Sequence, residues 1–280
     1  MAHSVYADDD KPSLLILLID SLAFFVRNQM IFWIAALPIA GLAAGAAYVL
    51  EADQKFVAFR NHWGWDFLFA LIYAMFLDRW IKETLLADAS PSDEVDNLRR
   101  SIVAVRFLAF AAALFVLAMA LNTIHLQGIA ATLHGWQTPH AFAVIVGGVL
   151  SWLPHLLVWA TVFTAFVLML PALSAAEPIS VRQAMRLGRP IGGSLFTLVF
   201  CTALVSLSAY ATTQWGLEVL PKKPWAAAAM AGAWRLFDCL LLALAGYVLA
   251  ALWRQLTDWQ QPEPEDHPFR NMRLRPRPPR

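Results

Sequence analysis

The chain has 280 residues, 59% of them hydrophobic and 15% charged, with a formal net charge of +1 at pH 7. Soluble domains run nearer ~45–50% apolar and ~25% charged, so a water-soluble enzyme and a disordered scaffold are both excluded. The composition fits an all-α polytopic membrane protein built from apolar segments of about 20 residues. Its near-zero net charge offers no general attraction to nucleic acid. Cys201 and Cys239 fall inside apolar stretches, where a thiol acts as a small hydrophobe rather than as half of a disulfide framework.

The first twelve residues end in Asp8, Asp9, Asp10, Lys11 and Pro12. They carry neither the basic start nor the cleavage site of a secretory signal, so no cleavage is expected. Residues 13 to 50 are mostly apolar. As one straight helix they would reach roughly 57 Å, against a hydrocarbon core of ~30 Å, so the run has to bend. Asp20, Ser21, Arg27 and Asn28 recur on one helical stripe, which predicts an interfacial helix over 13 to 27. A first span then covers 30 to 50. Its Gly41 and Gly45 form a GxxxG spacing, read as the close approach of another helix of the same chain.

A second span covers 63 to 81, with Trp63, Trp65 and Trp80 as interface anchors. Ser90 and Pro91 supply a cap and a first helical position for a third helix, whose apolar part is 102 to 122. Residues 141 to 173 again exceed one straight span. Pro154 marks the break, either as a kink in one long fourth helix or as the junction between an interfacial piece and a span. Ser180 and Gln183 have the spacing of a capping box, which opens a short helix carrying Arg182, Arg186 and Arg189. This is a second elbow. Spans five and six cover 191 to 213 and 225 to 253. The tail from 258 to 280 holds six prolines and a run of arginines, so it is expected to be disordered or surface-bound.

Sorted by these six spans, sixteen Lys and Arg residues fall on the side of the two termini and four on the other, with Arg235 inside span six. The positive-inside rule then places both termini in the cytoplasm, with six spans between them. The order of interfacial helix and hairpin occurs twice, at 13–81 and 179–253, as an internal parallel duplication would give.

The stretch LMLPALSAAEPISVRQAMRLGRP, residues 168 to 190, joins an apolar helix end, an acidic-Pro-Ile-Ser cap and a short basic helix. In this it resembles bacterial six-helix proteins related to the membrane domain appended to some glycerophosphodiester phosphodiesterases. The resemblance implies a six-helix fold and no reaction, since no catalytic residues carry over and the chain has no room for the soluble phosphodiesterase domain.

Charged residues inside spans are expensive and mark function first. Arg235 and Asp238 stand three apart in span six and can pair on one helix face, with Asp66 as a shallower partner from span two. Arg235 can instead stretch its side chain toward the outer interface. Asp78 and Arg79 are expected to face headgroups. His155 follows Pro154 and can ligate, relay a proton or satisfy the carbonyl that the proline frees. His62, His125, His134 and His140 match no compact metal motif, so neither a metal nor a cofactor is expected. Nucleophile elbow, P-loop, dinucleotide and zincin motifs are missing from the sequence, and Gly192-Gly193 reads as close packing.

The sequence thus predicts a non-enzymatic integral membrane protein that organises lipids, partner membrane proteins or copies of itself. Arg182, Arg186 and Arg189 are its expected contacts to anionic headgroups. The alternative is a small permease or lipid transporter working through Asp66, His155, Arg235 and Asp238.

Overall fold

The structure, a computed structural model, describes residues 13–52, 63–85, 105–114, 116–117, 141–175, 177, 179–219 and 223–257. All regular structure among these residues is helical. In chain order the helices are α1 (Leu14–Arg27), α2 (Gln29–Ala52), α3 (Trp63–Leu85), α4 (Val105–Leu114) and α5 (Ala141–Phe166). There follow α6 (Met169–Ser174), α7 (Val181–Gly188), a 3-10 turn (Arg189–Ile191), α8 (Gly192–Val219) and α9 (Pro224–Thr257).

The bend expected in the first apolar run occurs at one residue. Asn28 leaves the helix, donates its backbone N–H to Phe24 and Phe25, and adds a side-chain bond from Nδ2 to the Phe24 carbonyl at 3.0 Å. Its own carbonyl then accepts from Phe32 and α2 begins. The polar stripe of α1 is divided between two faces: Asp20 and Arg27 are exposed, whereas Ser21 is buried and bonds the Leu18 carbonyl.

Four stretches are long and apolar enough to cross a membrane: Gln29–Val49, Leu156–Ser174, Val181–Ala209 and Pro224–Thr257. The protein is therefore a multi-pass membrane protein by the length and composition of its helices. Helix α3 falls outside that set because Asp66, Asp78, Arg79 and Lys82 lower its hydropathy. The expected third span is described over α4 and residues 116–117, and residues 258–280 lie outside the described part.

Helix α5 runs unbroken through Pro154, as the single long fourth helix requires and the junction between two pieces does not, and a further turn at Val167 and Leu168 separates it from α6. A proline removes one N–H and one intrahelical bond, which a long helix with packed neighbours can lose without ending.

Helix α9 is the hub, with α1, α2, α3, α6 and α8 packed along it. At 34 residues it is about 51 Å long, well over the ~30 Å of a bilayer core. Two close approaches fix its neighbours. A Cβ on Gly246 would come 2.8 Å from Leu77 of α3, and one on Gly232 would come 3.4 Å from the Ala40 carbonyl of α2. The GxxxG glycines of α2 do not serve this purpose among the described residues, where a Cβ on Gly41 or Gly45 meets nothing within 4 Å. Alanines at 36, 40 and 43 line the buried side of α2 instead, and it is Ala40 and Ala44 that meet Gly232 of α9. Gly192 and Gly193 likewise have open space where close packing was expected.

At one end of the bundle, α1 packs on the C-terminal part of α9 and α7 packs on α5. Leu17 of α1, Leu187 of α7 and Val248, Leu249 and Leu252 of α9 share one apolar cluster. This elbow end also holds Trp80, which is 2% exposed and stacked on Phe76, with Phe24 and Phe32 edge-on to it. Trp80 is therefore a core residue rather than an interface anchor, because α1 folds back and covers it. The order α1–α2–α3 is repeated in α7–α8–α9, but the packing differs: α1 rests on α9, whereas α7 rests on α5.

Candidate functional site

Helices α3, α8 and α9 each contribute polar side chains to one cluster inside the bundle. Arg235 and Asp238 lie one turn apart on α9, so the α-helical period places them on the same face. Arg235 Nη1 stands 3.9 Å from Asp238 Oδ2, too far for a short direct bond. Tyr73 of α3 fills the gap. Its hydroxyl accepts from Arg235 Nη1 at 3.3 Å and donates to Asp238 Oδ2 at 3.3 Å. The second carboxylate oxygen, Oδ1, accepts from Ser206 Oγ of α8 at 2.6 Å.

Asp238 is 7% exposed, and both of its oxygens are engaged. The Arg235 guanidinium carbon lies 4.2 Å from the centre of the Phe69 ring and 4.1 Å from that of Trp234. A cation held over ring faces in a desolvated setting gains about 2 kcal/mol, part of what its burial costs. Arg235 thus folds into the bundle rather than stretching toward the outer interface. Chemically, the arrangement neutralises a charge pair inside an apolar bundle and ties three helices together by bonds that need specific partners.

A second polar contact lies toward the elbow end of α3. Asp78 is buried, accepts from Ser174 Oγ of α6 at 2.8 Å and pairs with Lys82 one turn on at 2.5 Å. The expectation that Asp78 faces headgroups is corrected by this geometry. The Leu-Pro-Ala turn of α6 brings Ser174 over the carboxylate, and only Arg79 of the two stays exposed. Beside it, Arg254 of α9 caps the end of α3 by donating to the Leu85 carbonyl.

The third arrangement is α7. Ser180 Oγ accepts from the Gln183 N–H at 3.3 Å, and Gln183 Oε1 accepts from the Ser180 N–H at 2.8 Å, which completes the expected capping box. Ala184 and Gly188 are buried, and Arg182, Arg186 and Arg189 are exposed.

The structure therefore joins Arg235 to Asp238, and it leaves the three arginines of α7 as a separate surface group. The side chains of Asp66 and His155 lie outside the described residues. Sequence reasoning missed Tyr73, Ser206, Phe69 and Trp234. Tyr73 carried a usable signal, a phenol in the middle of an apolar stretch, but Ser206 is one hydroxyl among many on α8. Among the described residues no group of His, Cys, Asp or Glu converges as a metal site would. No family model, no curated protein and no solved structure matches this chain.

Proposed function

We propose that the chain is a non-enzymatic scaffold of a bacterial inner membrane, an accessory protein that holds lipids or partner membrane proteins around a locked helical bundle. The reading includes six crossings, with α3 and residues 102 to 122 added to the four apolar stretches, and both ends of the chain in the cytoplasm. The likeness of residues 168 to 190 to six-helix membrane domains belongs to the same proposal.

One observation carries it: the intramembrane charges are spent on one another. Asp238 has both oxygens bonded by neighbouring helices, and Arg235 lies over two aromatic rings with Tyr73 closing the pair. A permease needs such groups turned toward a path through which a substrate passes. A lock needs them turned toward each other, because a buried charge left without a partner costs several kcal/mol.

Cys239 tests this reading. It follows Asp238 and is fully buried, whereas Cys201 is exposed on α8. In a Cys201→Ser background, reconstituted in liposomes, Cys239 should stay unmodified by a membrane-impermeant methanethiosulfonate reagent until the protein is denatured. Rapid labelling of folded protein from the aqueous phase would overturn the scaffold reading in favour of the permease.

A further inference from the structure

Each elbow helix has three faces, and the faces differ in charge. With about 100° of rotation per residue, α1 turns Leu17, Ser21 and Phe24 to the bundle and exposes Leu15, Leu22 and Val26 on a second side. Asp20 and Arg27, seven residues apart, share the third. In α7, Ala184 and Gly188 face the bundle, and Val181 and Met185 form an exposed apolar edge, 39% and 50% accessible. Arg182 and Arg186 form the third face, continued by Arg189 at the start of the 3-10 turn. The two helices present bundle, apolar and charged faces in the same rotational order.

Such a three-faced helix fits the boundary of a bilayer, with one side on the protein, one on acyl chains and one among headgroups. In α1 the charges on the third face are one acid and one base. In α7 and the turn that follows it there are three bases and no acid, and among the described residues no acid pairs with them. Helix α7 is also held firmly. Its capping box fixes the start, and a Cβ on Gly188 would come 3.3 Å from Leu195 and 3.4 Å from Leu168. The arginines are therefore presented from an ordered backbone, so an anion that binds them has to order their side chains but not the chain that carries them. Arg182 and Arg189 are about 10 Å apart along the axis at ~1.5 Å per residue, within reach of neighbouring lipid phosphates.

We infer that α7 is a ledge that selects anionic phospholipids from the surrounding bilayer, their phosphates on Arg182, Arg186 and Arg189 and their acyl chains over Val181 and Met185. This rests on the membrane reading above and deepens it by assigning the lipid class to one elbow.

The test compares lipid carried by the purified full chain after exchange in mixed micelles containing equal amounts of phosphatidylglycerol and phosphatidylethanolamine, read by native mass spectrometry. The unsubstituted chain should retain phosphatidylglycerol preferentially. The preference should fall about fivefold per arginine replaced by glutamine, the factor matching ~1 kcal/mol per basic residue at an anionic surface. Arg27→Gln on α1 should leave it unchanged. Should the triple glutamine variant fail to fold, raising the salt on the unsubstituted chain serves instead, because screening must reduce the preference of an exposed site. An unchanged ratio in the triple variant, a preference that salt does not touch, or an equal loss from Arg27→Gln would overturn the inference. Displacement of the lipid by inorganic phosphate would assign the ledge to a free anion and overturn it as well. The Cys239 labelling is independent of all these outcomes, so the ledge and the lock can fail separately.

Discussion

The hydroxyls of α8 show how little of a polar cluster is legible from residue type. Thr197, Thr202, Ser208, Thr212 and Thr213 each donate to the carbonyl four residues back, which satisfies them within their own helix. Ser206 reaches Asp238 on α9. Nothing in the sequence distinguishes it from Ser208, because the difference is its angular position on α8 relative to a helix that follows it in the chain. Ser206→Ala should destabilise the protein in detergent by about 1 kcal/mol, the scale of interhelical bonds in membranes, whereas Ser208→Ala should stay within a few tenths. Unfolding in a graded denaturing detergent compares the two, and equal losses would contradict the role given to Ser206. Tyr73→Phe should cost about as much or more, since one hydroxyl serves both Arg235 and Asp238.

Helices were the most legible level, and their contacts were less so. The break between α1 and α2 was expected at 27 to 30 and falls at Asn28, because a run too long for one crossing must bend and an amide side chain can tie off a helix end. The capping box at Ser180 and Gln183 was readable because both groups needed for it lie within four residues. Of the two readings of Pro154, one long helix holds and the two-piece junction does not, a choice that periodicity could not make because a proline ends a helix only where no neighbours hold its two halves together. Glycines carried the same ambiguity. Gly41 and Gly45 have the spacing of a packing motif and meet none of the described residues, while Gly246, with no motif around it, sits 2.8 Å by its Cβ position from Leu77. Gly246→Ala should therefore cost up to about 1 kcal/mol, because the Leu77 side-chain tip has to shift at the α3–α9 contact while alanine favours the helix. Gly41→Ala should be neutral or slightly stabilising, because alanine favours the helix and meets no neighbour. Thermal unfolding of the two variants side by side checks this, and a larger loss at Gly41 would show that its face is covered.

At the scale of the whole molecule, composition alone fixed the all-α membrane class, because 59% hydrophobic residues leave no other solvent for so much apolar surface. The hub role of α9 was not readable. It arises from contacts between helices far apart in the chain, such as Gly232 against Ala40 and Gly246 against Leu77. The basic residues predict the sidedness of the six-crossing proposal. Reporter fusions after Leu50, Gly135 and Leu220 should report periplasm, and those after Pro91, Ser180 and Arg280 should report cytoplasm. An inverted pair would reject that arrangement without touching the packing around α9.

The most direct measurement of the lock is a double-mutant cycle on Arg235 and Asp238, read as unfolding free energy of the purified protein in one detergent. Asp238→Ala strands a guanidinium inside the bundle and should cost about 3–5 kcal/mol. The double change Arg235→Ala/Asp238→Ala should cost less than Asp238→Ala alone, because it removes the stranded charge together with its partner. Losses that simply add would contradict the account, leaving the pair as two independent side chains and the bundle without its lock.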